Sequence, residues 1–130
     1  MAEWADERCH LYLWVTNNAL AVALPLLAQW GFAYKAVHTW TKPELGRGKY
    51  FRNTTEHVLF GVRGTVGTRS AGMATPTHHA WPVGEHSEKP EGFYDLVRRC
   101  SYPPFGEAFQ RQARPDFVNL FRDVSREAAE

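Results

Sequence analysis

His10-Leu11-Tyr12-Leu13-Trp14-Val15-Thr16 is an almost continuous apolar run, and Asn17-Asn18 closes it. Seven residues are short for a helix, and aromatic and β-branched side chains suit a pleated surface. The run predicts a strand, and its lack of polar alternation predicts one covered on both faces, inside a parallel sheet. Working outward, Asn17 or Asn18 is placed to cap a helix. Leu20, Leu24, Leu27 and Trp30 follow at helical spacing, Gly31 supplies the stop, and Pro25 predicts a kink or a late start. Phe32, Tyr34, Val37 and Trp40 alternate loosely as a second strand that ends at Lys42-Pro43. Gly46-Arg47-Gly48-Lys49 reads as a flexible stretch, and His57 to Arg63 as a third strand. Residues 64–84, rich in Gly, Thr, Pro and Ala, read as a mobile surface loop. Pro90 fits the first turn of a second helix whose apolar stripe is Phe93, Leu96, Val97 and Cys100. A last strand, Phe105 to Arg111, precedes a charged tail with helical character over Ser125 to Glu130. Four strands interleaved with two helices predict an α/β class with crossover connections.

The chain has 130 residues, room for a single domain. With 44% hydrophobic residues it can build a core, which argues against disorder as a description of the whole. Cys9 and Cys100 lie far apart and form no disulfide framework, so the expected compartment is reducing and cytoplasmic. No uninterrupted run of ~18 apolar residues occurs, and none is expected to cross a membrane. Six histidines are present, but no Cys-x-x-Cys or His-x-x-x-His spacing, so no metal is expected. Gly46-Arg47-Gly48-Lys49 lacks the G-x-x-x-x-G-K-[ST] pattern of a phosphate loop. A formal charge of +1 means that any nucleic-acid binding needs a local basic region, and Arg47, Lys49, Arg52, Arg63 and Arg69 offer one.

The stretch from Gly48 to Gly64, GKYFRNTTEHVLFGVRG, is the most informative. Together with Leu11 to Asn17, Trp30-Gly31-Phe32, Trp40-Thr41-Lys42 and His86-Ser87-Glu88-Lys89-Pro90, it resembles the adenine N6-methyltransferase family that contains the catalytic subunit of the eukaryotic messenger-RNA adenine methylase and bacterial and phage DNA adenine methylases. The blocks keep their order and spacing from about residue 9 to about residue 118. The resemblance implies a Rossmann-like methyltransferase fold over residues 1–130, incomplete at the N-terminus, with S-adenosylmethionine as cofactor and adenine in DNA, ahead of RNA, as substrate.

The resemblance also implies site residues. Asn53, Glu56 and Lys89 match positions near the target adenine, and Lys89 is placed to pair with Glu56 or touch a phosphate. Spacing alone favours a surface ion pair beside a core histidine, and the resemblance reverses that preference. Gly106 to Arg111 resembles the strand Glu-Leu-Phe-x-Arg, making Phe109 and Arg111 cofactor-binding candidates. Arg114-Pro115-Asp116-Phe117 is similar to the family's Arg-Pro-Gly-Trp. Where relatives continue with Gly-Asn-Glu or Gly-Asn-Gln, this chain has Phe121-Arg122-Asp123, and Asp123 is the candidate acceptor for a ribose hydroxyl.

The family's catalytic signature, Asp-Pro-Pro-Trp, is absent from these residues, so no catalytic residue is assigned and the chain is expected to be inactive alone. Its carboxylate and backbone carbonyl would accept the hydrogens of an amine whose lone pair is delocalised into the adenine ring. The same absence leaves Leu11 to Val15 without a neighbour on one side. Tyr102-Pro103-Pro104-Phe105 mimics half of the signature, but a tyrosine cannot copy the carboxylate, and a turn is the better reading. The alternative function is a non-catalytic subunit with a degenerate methyltransferase fold that binds nucleic acid or a partner, as a homo- or heterodimer.

Overall fold

The computed structural model describes residues 7–43, 48–69, 74–83, 89–108 and 113–120. The elements are β1 (Cys9–Val15), α1 (Leu20–Gln29), β2 (Ala33–Thr41), β3 (Thr55–Arg63), β4 (His78–His79), α2 (Glu91–Cys100), β5 (Phe105–Glu107) and β6 (Phe117–Asn119). They form a four-stranded sheet in the order β1-β3-β2-β4 and a two-stranded sheet of β5 and β6.

The α/β class is as expected, but the pairing that the described residues show for the apolar run 10–16 is antiparallel, not parallel. Among the described residues β1 lies at the edge of its sheet and runs antiparallel to β3, with Cys9 opposite Arg63 and Val15 opposite His57. β3 is also antiparallel to β2, so β1 and β2, joined through α1, point the same way with β3 between them. The central place goes to the strand whose middle can be covered on both faces. Val58, Leu59 and Phe60 are all buried, whereas β1 is half-buried until Val15.

Two strands escaped the periodicity argument. β4, inside the expected loop 64–84, adds His78 and His79 in parallel to β2, and β6 lies in parallel beside β5. The assigned part of the fourth strand is Phe105–Glu107, and the expected terminal helix over residues 125–130 lies outside the described residues.

α1 is not capped by Asn17 or Asn18. Its N-cap is Ala19, with no side-chain bond. Pro25 sits inside the helix and removes a donor that would serve the carbonyl of Ala21. Both residues are exposed, so water can satisfy that carbonyl. Gly31 does end the helix, at φ +87°, where an added Cβ would also approach the Arg63 guanidinium to 3.3 Å.

Alternation along β1 sorts its side chains onto two faces. Leu11, Leu13 and Val15 join Ala23, Leu27, Phe32 and Leu59 beneath α1. Tyr12 and Trp14 join Val58 and the α2 stripe of Phe93, Leu96, Val97 and Cys100, which is buried throughout as its spacing predicts. The result is three layers, helix on sheet on helix, with loop ends collecting beyond Val15 and Thr55.

Candidate functional site

At the end of the sheet where β1 finishes and β3 starts, a polar cluster occupies the α1 side. Asn17 Nδ2 donates to Asn53 Oδ1 at 3.2 Å, to the Thr55 carbonyl at 3.2 Å and to Thr55 Oγ1 at 3.1 Å. Asn17 Oδ1 accepts from His57 Nε2 at 2.6 Å, and His57 Nδ1 accepts from the Thr39 hydroxyl at 3.0 Å. These partners fix the imidazole tautomer, with its hydrogen on Nε2. Asn53, expected from the sequence, is thus held by Asn17, which the sequence had suggested as a helix cap.

Glu56 points to the opposite face, because successive strand residues alternate. Its partner is Lys42, at 2.7 Å, and Lys42 also lies 5.1 Å from the centre of the Trp40 ring. The expected Glu56–Lys89 pair is therefore not formed. Lys89, just before the Pro90 cap of α2, lines a separate groove.

That groove has a volume of about 560 Å³, within the range of roughly 300–1,000 Å³ typical of ligand clefts. Its walls are residues 8–14 on one side and 102–108 on the other, with Lys89, Phe93 and Tyr94 contributed around α2. The Tyr102-Pro103-Pro104 segment serves as the link between α2 and β5, in keeping with the turn reading.

The groove's polar groups are few and specific. Tyr94 donates its hydroxyl to Glu107 Oε2. Burial, then this bond to a carboxylate, push the Tyr94 phenol well above its ordinary range. Arg114 covers the same ring, 3.4 Å from its centre, and forks onto both oxygens of Glu91. Tyr12 donates to Ser101 Oγ at 2.7 Å, Ser101 donates to His10 Nδ1 at 2.6 Å, and His10 Nε2 donates to the Val66 carbonyl at 2.9 Å. Burial raises the Tyr12 phenol to about 12. Two buried side-chain atoms on groove residues have no hydrogen-bond partner among the described residues, the donor Trp14 Nε1 and the acceptor Glu107 Oε1.

The expected basic region is not one surface. Arg63 donates to the Trp30 carbonyl at the end of α1 and stacks on Phe32, 4.5 Å from its centre. Arg69 donates to the Arg98 carbonyl in the last turn of α2. Both guanidiniums serve helix C-termini, where cations are favoured. Lys49 and Arg52 remain exposed before β3, about 27 Å of strand away from Arg63. Between them stand the most exposed large hydrophobics, Tyr50 at 93% and Phe51 at 86%. Gly48 permits this tight loop, since a Cβ there would fall 1.8 Å from the Phe51 carbonyl oxygen.

Arg47 and the cofactor candidates Phe109, Arg111 and Asp123 lie outside the described residues. No group of three metal-ligating side chains occurs among the described residues, and no described helix is long and apolar enough to cross a membrane. Sequence reasoning missed Asn17, Lys42, Trp14 and Glu107. The Asn17 signal was present in the chain, as an asparagine one residue beyond the strand end, but spacing cannot say which way its amide turns.

Comparison with known proteins agrees with the resemblance carried by these blocks. A curated relative, the type II methyltransferase M.MunI of Mycoplasma sp, is 32% identical over 119 residues, covering 88% of this chain and 48% of the relative. The chain therefore spans about half the length of the curated relative it matches. The MT-A70 family model matches residues 1–121, a span that contains Asn53, Glu56, Lys89 and the whole groove, and the chain belongs to the MT-A70 family of adenine methylases.

Proposed function

We propose that the chain is part of an S-adenosylmethionine-dependent adenine N6-methyltransferase of Rossmann-like fold, acting on nucleic acid and on DNA ahead of RNA. The observation that carries this reading is the family match over residues 1–121, joined by a relative that is named a type II methyltransferase. The structure supports it in three ways. The β1–α1–β2 unit is a crossover between two strands of the same direction, as α/β sheets require. Lys89 and Trp14 lie towards the carboxyl end of β1, where ligands of such sheets bind. Lys49-Tyr50-Phe51-Arg52 displays two rings between two cations, an arrangement that suits stacked bases and phosphates.

The residues present fit the cofactor in part. Glu107 Oε1 is a buried acceptor without a donor among the described residues, suited to an ammonium or hydroxyl group, and Lys89 suits a carboxylate. When bound, S-adenosylmethionine supplies an electrophilic methyl on sulfur. The chain's own residues bind and orient: Tyr94 and Arg114 hold Glu107 and its surroundings, and the Asn17 cluster holds Asn53. These 130 residues contain no Asp-Pro-Pro-Trp to accept the amine hydrogens, so alone they are expected to bind cofactor weakly and transfer nothing.

The test is transfer of labelled methyl from S-adenosylmethionine to duplex DNA, single-stranded DNA and RNA. It compares the chain alone with the chain extended at its N-terminus by a segment carrying Asp-Pro-Pro-Trp. The expected result is no transfer by the first, and label on adenine N6 by the second, faster on DNA. Replacing both Tyr50 and Phe51 by Ala should weaken DNA binding by about tenfold or more. Label on another base, or none from the extended form on any substrate, would refute the reading.

A further inference from the structure

We propose that residues 77–83 form a strap across the edge of the sheet, closed at neutral pH by the His38–His79 pair and released in acid while both cores stay folded. The strap has little backbone to hold it. β4 pairs with β2 over two positions, Thr39 with His78 and Trp40 with His79, and the Thr39 N–H donates to the Thr77 carbonyl at 2.7 Å. Side chains supply the rest. His38 Nδ1 and His79 Nε2 share a hydrogen at 2.9 Å, the His79 ring stacks on Trp81 with centres 4.1 Å apart, and the Trp40 indole donates to the Trp81 carbonyl at 2.8 Å. Trp81 in turn fills a notch at Gly92 in the first turn of α2, where an added Cβ would fall 2.1 Å from the indole. The strap therefore joins the edge of β2 to the start of α2.

A hydrogen-bonded imidazole pair holds one hydrogen between two nitrogens, so one ring donates and the other accepts. Once both rings carry two hydrogens neither can accept, and two cations face each other across the 2.9 Å contact. The surroundings offer no relief. His78 on β4 and Arg99 on α2 act on His79, while Lys35 on β2, Tyr12 on β1 and Cys100 on α2 line the small cavity of about 160 Å³ beside His38. None of these is a carboxylate that would pair with an imidazolium. His38 is buried, and burial lowers it. Burial, then the charges on His38, His78 and Arg99, lower His79 to about 4. A histidine lowered in the closed state binds protons more readily once the strap is open. Closure is therefore complete above about pH 6.5 and weakens as pH falls towards 4. Nothing in this device depends on methyl transfer.

The test is hydrogen exchange of the 130-residue chain at pH 7.5 and pH 5, with and without sub-denaturing urea, expressed as protection relative to unfolded peptide. The Thr39 amide and the Trp40 indole N–H read the strap, and the Leu59 amide reads the core. Strap protection should fall about tenfold to thirtyfold from pH 7.5 to pH 5. Urea should speed Leu59 exchange and leave the two strap signals unchanged, because a local opening exposes little surface. His79→Phe keeps a ring on Trp81 but cannot titrate, and should remove the pH dependence of the strap signals. His78→Gln, at an exposed position, should preserve it. The unaltered chain decides the matter even where a variant fails to fold. The proposal is overturned by equal strap protection at the two pH values, by strap signals that follow Leu59 in urea, or by a pH dependence that survives in a folded His79→Phe chain or vanishes in His78→Gln.

Discussion

Asn17→Asp separates two roles for one residue. Aspartate ranks with asparagine as a helix N-cap, so a capping Asn17 would tolerate the change. In the structure Asn17 donates through Nδ2 to Asn53 Oδ1, the Thr55 carbonyl and Thr55 Oγ1, and Ala19 is the N-cap. The variant puts a carboxylate oxygen where that amide nitrogen stood. The Thr55 hydroxyl can rotate and the Asn53 amide can turn to donate to it, but the Thr55 main-chain carbonyl cannot. One main-chain acceptor that loses this donor and faces a carboxylate oxygen in a half-buried site gives a loss of about 2 kcal/mol. For a domain of this size that lowers the melting temperature by about 6–10 °C. Urea denaturation followed by tryptophan fluorescence measures the loss, and Asn18→Asp, at an exposed position, is the control and should stay within about 0.5 kcal/mol of the parent. An Asn17→Asp protein as stable as the parent, or more so, would refute the hub role and restore the cap.

Other expectations follow from the two cores and the ion pairs. Leu96→Ala, at a fully buried α2 position, should cost about 2–5 kcal/mol, while Leu24→Ala, 40% exposed on α1, should cost under about 1 kcal/mol; comparable losses would contradict the burial pattern. His79 is stacked 4.1 Å from Trp81 and 2.9 Å from His38, and burial, then the charge on His38, lower it to about 4. A lowered histidine means that the unfolded chain binds the proton more readily. Stability is therefore full above about pH 6.5 and falls as pH drops towards 4, and His79→Gln should flatten that slope in urea titrations at stepped pH. Arg114→Lys should cost about 1 kcal/mol by losing the flat stack on Tyr94, whereas Glu91→Gln should cost less than about 0.5 kcal/mol because the Glu91 side chain is 66% exposed. Equal losses for the pair would mean that charge, not stacking, holds Arg114.

How far the sequence could be read depends on the reach of each interaction. The stripe of Phe93, Leu96, Val97 and Cys100 is a local property of one helix, and it is buried as its spacing implies. The ends of β2 and β3 and the stop at Gly31 are equally local, set by breakers and by backbone conformation. Strand order is not local. Leu11 to Val15 and Val58 to Phe60 are similar apolar runs, and only the third dimension shows that the second lies between two neighbours. β4 and β6 are too short to carry a period. In the site, Asn53, Glu56 and Lys89 came from the family resemblance. Their partners did not, because Lys42 reaches Glu56 across a strand pair and Asn17 reaches Asn53 over 36 positions.

The central position of β3 has a consequence for biosynthesis. Val15, at the near end of the β1 ladder, pairs with His57, and Cys9, at the far end, pairs with Arg63. Thr41 and Thr55, by contrast, close the β2–β3 ladder across a short connection. During translation β1 leaves the ribosome before β3 and waits for some 42 further residues before the β3 end of its ladder exists. At ~5–20 residues per second that is roughly 2–8 s. The β2–β3 pair, needing the shorter loop closure, forms before β1 can dock. β1 therefore stays without its β3 partner for seconds after it is made, a window in which a chaperone that binds extended apolar segments would find it.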